Sequence, residues 1–560
     1  MDYLIKKRTA ALFWLFILAF IGLVTHLAYI QVVSGPRLSR QALSQQSQVV
    51  SLEVPPRGQI LDRRLRPLIV EREVWRVVVF PAAVADKTGE AGILAAILKT
   101  GSREAEVYLT GSPKVIPSDL SAEQVAVLKK QALPGVVVSR FKLRGRKPPL
   151  ASHLIGYLGQ DKPDNWVGKT GIEAYYDSYL QGSIPELAAR IYLDGKGRVI
   201  PGLGYRLEYN VIDKARKDIV LTIDRDIQEI VEKAIDNAGV QNGAVVVMDV
   251  DNGDIVAMAS RPDFSLGLKP GIVPESVYNG TNTGGESFLN HCLSLYQPGS
   301  VFKVIVTAAA IEEDIVKPDD VFLCIGEKDD IVKCYKKEGH GLITFSQAVA
   351  FSCNPVFARV GLELGAKRLI SYASRFGLDT DNIAGYEKPG SKGRTDFAAR
   401  LSRIAQRYNL VNASLGQWPV EANVVQITAV MAAIANNGVY TSPRLVREIR
   451  NYDGTTSSQV EAGPGIRAVS GKTARTVQTM LQAVTKSGTG QQAYVEPGGS
   501  AGKTGSAQVG QEKIDAWFSG YAPINNPRYA VTIMVTNGVS GGKTAAPIFK
   551  EIMEKVLQLK

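Results

Sequence analysis

Histidine is nearly absent from this chain. Only four, His26, His153, His291 and His340, are scattered along 560 positions, and none forms an HExxH pair. The cysteines are as few: Cys292, Cys324, Cys334 and Cys353. Without close His/Cys pairs a zinc hydrolase is disfavoured, and no metal ion and no cofactor is expected. A phosphate-cradling loop is missing too. Gly-Lys-Thr occurs at Gly168, Gly471, Gly502 and Gly542, but the position five residues before each holds Pro163, Ile466, Pro497 or Asn537 where that loop requires glycine. The net charge of +11 comes mostly from dispersed basic residues, with one dense cluster from Arg140 to Lys147. No aromatic stacking series or zinc-finger spacing accompanies it, so a solvated basic face is expected rather than a nucleic-acid partner.

What is present is enough for two or three folded domains, since 45% of the 560 residues are hydrophobic. Lys6-Lys7-Arg8 precedes an apolar run from Ala10 to about Val33, interrupted only by Thr25, His26 and Gln31. As a helix this run spans about 36 Å, enough to cross a bilayer. Positive charge on its N-terminal flank puts residues 1–8 in the cytoplasm and makes 9–33 a transmembrane anchor. No small-x-small cleavage site closes the run, which argues against a cleaved signal peptide. Everything after it is then expected outside the membrane. There, Cys324 and Cys334, flanking a short polar loop, could close a disulfide worth about 3 kcal/mol at most. Two free thiols are the equally open reading.

Residues 34–217 mix short strand-like segments, Trp75 to Phe80 and Val136 to Ser139, with helical ones, Ala91 to Leu98 and Ala122 to Gln131. No nucleophile or metal constellation occurs in them, and they are expected to form a mixed α+β supporting module. From about Asp218 the pattern changes. Ile219 to Ile223 predicts a strand and Asp224 to Ala238 an amphipathic helix; Ala244 to Asp249 and Asp254 to Ala259 flank Asn252-Gly253 as a hairpin. Helices are expected over Thr344 to Phe351, Ile427 to Asn436 and Pro547 to Leu557. Adjacent strands are expected around Gly502, Trp517 to Tyr521 and Tyr529 to Val535. The second domain, 218–560, is therefore α/β with a mostly antiparallel sheet flanked by helices.

Within that domain Pro298-Gly299-Ser300-Val-Phe-Lys303 runs into the apolar stretch Val304 to Ile311. Ser300 is read as a helix cap with Lys303 one turn on and on the same face. A hydroxyl at a helix N-terminus with an amine in reach is a nucleophile with its own base. Taken alone the spacing is weak, because Ser139/Lys142, Ser500/Lys503 and Ser540/Lys543 share it, and a capping serine beside a surface lysine is the bland alternative. Context raises Ser300: Ser352-Cys353-Asn354 and Lys503-Thr504-Gly505 follow it in order, and Ser-x-x-Lys, Ser-x-Asn and Lys-Thr-Gly form the set of penicillin-binding proteins and class A β-lactamases.

Over essentially its whole length the sequence resembles the class B penicillin-binding proteins, membrane-anchored D,D-transpeptidases of peptidoglycan synthesis. Besides the three motifs, RGQILDR at Arg57, HLIGYLG at His153, GIEAYYDSYLQG at Gly171, GAVVVMDVDNGDIVAMASRPDF at Gly243 and WFSGYAP at Trp517 look like family patterns in order. The resemblance implies an anchor, a pedestal over 34–217 and a serine transpeptidase domain over 218–560. By the same resemblance Ser300 attacks the penultimate D-Ala of a D-Ala-D-Ala stem peptide. Lys303 is its base, its pKa lowered by burial beside another cation such as Lys503. Ser352 relays a proton to the leaving amine, and Asn354 holds Lys303 and the substrate amide. Lys503 supplies positive potential, and Thr504 and Ser506, flanking Gly505, bind the terminal carboxylate. The N–H groups of Ser300 and Ser506 form the oxyanion hole. β-Lactams are expected to acylate Ser300, the second stem peptide to supply the acceptor amine, and a SEDS-family membrane glycosyltransferase to be the partner.

Some positions depart from the usual family text. Cys353 sits inside the Ser-x-Asn motif, Ser506 stands where Thr is common, Trp418 replaces the last Gly of Gly-Gln-Gly, and Val424-Val425-Gln426 replaces Thr-Pro-Leu-Gln-like text. None removes a catalytic group, although Trp418 bears on the shape of the substrate groove. Two rivals remain. A D,D-carboxypeptidase or β-lactamase would pass the acyl group to water, which the anchor and pedestal argue against. A β-lactam-acylated sensor would need more than the few residues that precede the anchor.

Overall fold

The structure is a computed structural model. It describes residues 2–559 apart from 46, 53–55, 70, 85, 145–149, 163–164, 185–186, 193–199, 201–204, 210–212, 265–287, 387–398, 400 and 511–512. Residues 145–147 of the basic cluster thus lie outside the described residues. The chain forms two compact units that interleave along the sequence: Met1–Pro56, Glu73–Lys142 and Ile184–Ile212 in one, Arg57–Arg72, Leu143–Ser183 and Asp213–Lys560 in the other.

The first unit opens with a helix over Asp2–Ala28 that continues through Tyr29–Ser34 and Gly35–Gln45. Its apolar side chains, among them Trp14, Phe16, Leu18 and Phe20, are exposed, and Tyr3–Ser39 is long and apolar enough to cross a membrane. The rest of the unit holds a three-stranded sheet in the order Lys114–Leu120, Glu71–Val79, Val136–Arg144. Alternate residues Val77 and Val79 pack with Leu94 and Leu98 of the helix Lys87–Leu98 and Leu128 of the helix Ala122–Gln131. Ser121 and Gln124 close a capping box on the latter, which is why that helix begins where the sequence predicts. A second sheet pairs Ser47–Ser51 and Tyr205–Tyr209 antiparallel to Leu187–Tyr192.

The second unit is built on a five-stranded antiparallel sheet of β1 (Gly243–Asp249), β2 (Ile255–Arg261), β3 (Ala501–Val509), β4 (Lys513–Ala522) and β5 (Tyr529–Val535), in the order β2-β1-β5-β4-β3. The two-residue period of a strand sends its side chains to two separate cores. Val245 and Val247 face α1 (Arg225–Asn237) and the C-terminal helix Ala546–Val556; Ala244, Val246 and Met248 face α2 (Lys303–Glu312) and the wholly buried helix Val424–Ala435. Both faces are covered, so β1 and β2 read as continuous apolar runs.

The expected strand near Ile219 forms over Lys217–Leu221, but in a different sheet, between Val446–Asn451 and Ile60–Leu61. Ile60–Leu61 belongs to the RGQILDR stretch, so a motif expected in the supporting module adds an edge strand to the second unit. The other two motif stretches join it there. Buried Arg57 pairs with Glu173 at 2.9 Å and with Asp177 at 2.8 Å.

Candidate active site

Ser300 lies in a 3-10 turn, Gly299–Phe302, that leads directly into α2. The capping expectation is corrected here. The turn begins after Pro298, no side chain caps it, and Gly299 at φ +58° lets the backbone become helical before Ser300 is reached. The Ser300 hydroxyl therefore carries no capping bond to its own helix. Gly416, also at positive φ (+73°), accepts a hydrogen bond from the Gly299 N–H at 2.8 Å; a Cβ there would lie 1.9 Å from the Gly299 oxygen. Behind the turn runs β3, and Gly505 makes the approach possible: a Cβ would stand 2.8 Å from the Pro298 oxygen.

Lys303, the first residue of α2, is completely buried. Its ammonium donates to the Asn354 Oδ1 at 2.7 Å, the Ser352 carbonyl at 3.0 Å and the Ser352 Oγ at 3.3 Å, and sits 4.8 Å from the centre of the Phe357 ring. The turn that supplies two of these acceptors joins α3 (Phe345–Ala350) to α4 (Asn354–Leu364). Thr344 and Gln347 cap the start of α3, and at its end Ser352 takes φ +54°, a left-handed conformation costly for serine. That conformation lets the Ser352 carbonyl and hydroxyl meet the same ammonium.

Loss of hydration lowers the pKa of Lys303 to about 7, while the sulfurs of Cys353 and Cys334 act in the opposite sense. Lys503, 1% exposed on β3, donates among the described residues to the Thr504 carbonyl alone, at 3.2 Å. Its pKa falls well below the ordinary lysine value, first through burial and then through the charge of Lys303. Two buried ammonium groups in one site repel, and hydrogen bonding decides which keeps its proton. Three acceptors favour Lys303 over Lys503. Of the two causes the sequence suggested for a lowered Lys303 pKa, burial and a neighbouring cation, burial is the one that acts on Lys303.

Ser300, Ser352, Asn354, Thr504 and Ser506 line one cleft of about 570 Å³. The Thr504 hydroxyl shares a hydrogen bond with Thr489 at 2.6 Å, and the Ser506 Oγ accepts from the Gly541 N–H at 3.2 Å. Each hydroxyl keeps capacity toward the cleft. Sequence reasoning missed Thr489, Gln492 and Tyr335 on the cleft wall, because nothing in their local sequence marks them. Of the rival Ser-x-x-Lys pairs, Ser139 is buried in a strand, Ser500 donates to the Ala493 carbonyl, and Ser540 caps the turn before the C-terminal helix; only the last pair reaches the cleft. Trp418 is not among the residues lining it; its backbone N–H donates to Gln297 Oε1 at 3.0 Å, beside the Ser300 turn.

Comparisons with known proteins bear on the family of both domains. The penicillin binding protein transpeptidase domain matches residues 243–554, and the penicillin-binding protein dimerisation domain matches 52–203. Stage V sporulation protein D of Bacillus subtilis is 31% identical, over 99% of this chain and 86% of its own. Peptidoglycan D,D-transpeptidase FtsI of Escherichia coli is 26% identical, over 99% and 92%. The crystal structure of the D,D-transpeptidase domain of a peptidoglycan glycosyltransferase from Eggerthella lenta superposes with a TM-score of 0.62 at 25% identity, covering 91% of this chain and all of that one. A buried Lys-Ser-Asn cluster beside a serine turn, on a sheet and helix framework matched in both domains and in chain order, places this chain among the class B penicillin-binding proteins.

Proposed function

We propose that the chain is a serine D,D-transpeptidase that cross-links peptidoglycan stem peptides through an acyl-enzyme on Ser300. The observation that carries the reading is Lys303: a fully buried amine with a pKa near 7, held by Ser352 and Asn354 on the wall of the cleft that contains Ser300. An ordinary surface lysine is protonated at neutral pH and accepts nothing. A lysine poised near 7 can take a proton and return it.

The stem-peptide carboxylate enters beside Thr504 and Ser506, near Lys503. An anion there favours the charged form of Lys503, and the resulting repulsion pushes the Lys303 proton off. Neutral Lys303 takes the Ser300 proton as Oγ bonds to the carbonyl carbon of the penultimate D-Ala. The oxyanion is met by the N–H groups of Ser300 and Ser506, each donor worth about 3 to 4 kcal/mol. When the C–N bond breaks, the leaving nitrogen takes a proton from the Ser352 hydroxyl, which recovers one from Lys303. Terminal D-Ala departs and an ester remains. An acceptor amine then attacks the ester, its proton passes to Lys303 and on to Ser300 Oγ, and a new amide forms. A β-lactam enters the first half because its ring amide imitates D-Ala-D-Ala. Neither a metal ion nor a cofactor takes part in these steps.

The helix Tyr3–Ser39 suits a membrane anchor, and Lys6-Lys7-Arg8 supports an N-terminus in the cytoplasm with the chain beyond the helix outside. We assign residues 34–217 to the pedestal, of which 57–72 and 143–183 fold into the same compact unit as the transpeptidase domain of 218–560, with a SEDS-family glycosyltransferase as partner. Fluorescent penicillin is expected to label the full chain and not Ser300→Ala; labelling that persists in a folded Ser300→Ala variant refutes the nucleophile. Turnover of a D-Ala-D-Ala donor with and without an acceptor amine separates cross-linking from hydrolysis, and hydrolysis unaffected by acceptor refutes the transferase reading.

A further inference from the structure

Spacing along the chain argued against a metal site, yet the fold gathers Cys324, Cys334, His340 and Cys353, whose ligand atoms all lie within 4.8 Å of one another. Strands Val321–Cys324 and Gly341–Thr344 pair antiparallel and bring Cys324 beside His340. The Cys334 N–H donates to the Gly326 carbonyl at 3.1 Å and folds the intervening loop back on them. Cys353 comes from the turn before α4. All four cysteines are free thiols, and the three in this cluster are buried.

The distances have a chemical meaning. The sulfurs of Cys324 and Cys334 both stand 3.5 Å from the same nitrogen, His340 Nδ1. One imidazole nitrogen has a single lone pair or a single proton and cannot serve two thiols well. With Zn–S near 2.3 Å and Zn–N near 2.0 to 2.1 Å, a tetrahedron has an S···N edge of about 3.5 Å. Three sulfurs and an imidazole are a soft ligand set of the kind that favours zinc over magnesium, calcium or manganese. The backbone of Lys336 hydrogen-bonds the Cys334 sulfur and that of Val356 the Cys353 sulfur, as outer partners do around bound thiolates. His340 is stacked on Phe351 with ring centres 5.6 Å apart, which holds its orientation.

We propose that Cys324, Cys334, His340 and Cys353 bind one zinc ion in a closed tetrahedral site, and that this ion positions the Ser352–Asn354 turn of the active site. Four protein ligands leave no open position, so the ion is structural. Its leverage comes from sequence adjacency. Cys353 lies between the two residues that hold Lys303, and Cys334 precedes Tyr335, which lines the cleft and donates to the Phe351 carbonyl at 3.0 Å. The loop around them has little apolar core, with Leu323, Ile325 and Tyr335 exposed, so a metal staple does there what packing does elsewhere. Each thiol that binds gives up its proton to solvent.

The test uses the full chain purified in detergent under reducing conditions. Elemental analysis is expected to find about one zinc per chain, and cobalt exchanged into the site to show the intense visible bands and sulfur-to-metal charge transfer of a tetrahedral thiolate complex. Cys324→Ser with His340→Ala is expected to lose at least nine-tenths of the metal, while Cys292→Ser, whose thiol is outside the cluster, keeps it. Absence of a cobalt spectrum in the reduced wild-type chain overturns the site, as does a disulfide within the cluster that leaves no cobalt binding after reduction. Full metal retention in the double variant does so too. The effect on Ser300 rests on the transpeptidase reading, whereas the metal readouts do not. Chelation is expected to slow fluorescent-penicillin acylation at least tenfold, with recovery on adding one equivalent of zinc; zinc that binds but leaves the rate unchanged on removal refutes the positioning role alone.

Discussion

Replacing Asn354 by Asp tests the base assignment more sharply than removing Lys303 would. Asn354 Oδ1 accepts from the Lys303 ammonium at 2.7 Å, and the substitution keeps the shape while putting a negative charge at that distance. The wild-type profile comes first. With the Lys303 pKa near 7, facing Lys503 and the sulfurs of Cys334 and Cys353, the neutral fraction rises with pH, from about one tenth at pH 6 to about nine tenths at pH 8. Second-order acylation by a fluorescent penicillin is therefore expected to rise about tenfold between those pH values and then level off. A carboxylate beside a buried ammonium raises its pKa by about 1 to 3 units. A shift of about 2 units in Asn354→Asp moves the midpoint to about 9, lowers the neutral fraction at pH 7 from about one half to about one hundredth, and slows acylation there about fiftyfold. The rate should return toward wild type above pH 9, a recovery that mere loss of structure cannot produce. Stopped-flow labelling from pH 5.5 to 10 reads both curves. A flat wild-type profile across pH 6 to 8, or a deficit in Asn354→Asp that is the same at every pH, refutes Lys303 as the base.

Two further outcomes follow from the packing. Gly416→Ala puts a Cβ 1.9 Å from the Gly299 oxygen at a φ of +73°, so it should cost about 1 to 3 kcal/mol and slow Ser300 acylation at least tenfold; wild-type stability with a wild-type rate refutes the buttress. Arg57→Ala leaves Glu173 buried with its ion-pair partner gone, and denaturation of the second unit should show a loss of about 3 to 5 kcal/mol with the pH profile of acylation unmoved. A loss below about 1 kcal/mol refutes the link between those motifs.

The apolar N-terminal run, the hairpin at Asn252-Gly253 and the order of Ser300, Ser352 and Lys503 were legible in the sequence because each depends on near neighbours. Periodicity sets a strand or helix locally, and three short motifs of fixed spacing carry their chemistry wherever they fall. The same local logic misread Ser300 as a cap, since whether a serine starts a helix depends on the φ of the glycine before it, and that angle is held by a bond from Gly299 to Gly416. Nor could it show that 57–72 and 143–183, within the span of the matched dimerisation domain, fold into the second compact unit, where buried charge pairing joins Arg57 to Glu173 and Asp177.

By itself the sequence determined the class of chemistry, the three motifs of Ser300, Ser352 and Lys503 in their order, and a helix of membrane length. Only the tertiary structure decided how basic Lys303 is, because its pKa follows first from complete burial, opposed by the sulfurs of Cys353 and Cys334. It alone brought Cys324, Cys334, His340 and Cys353 within 4.8 Å. Desolvation and convergence of ligands are properties of distance in space, to which spacing along the chain is blind.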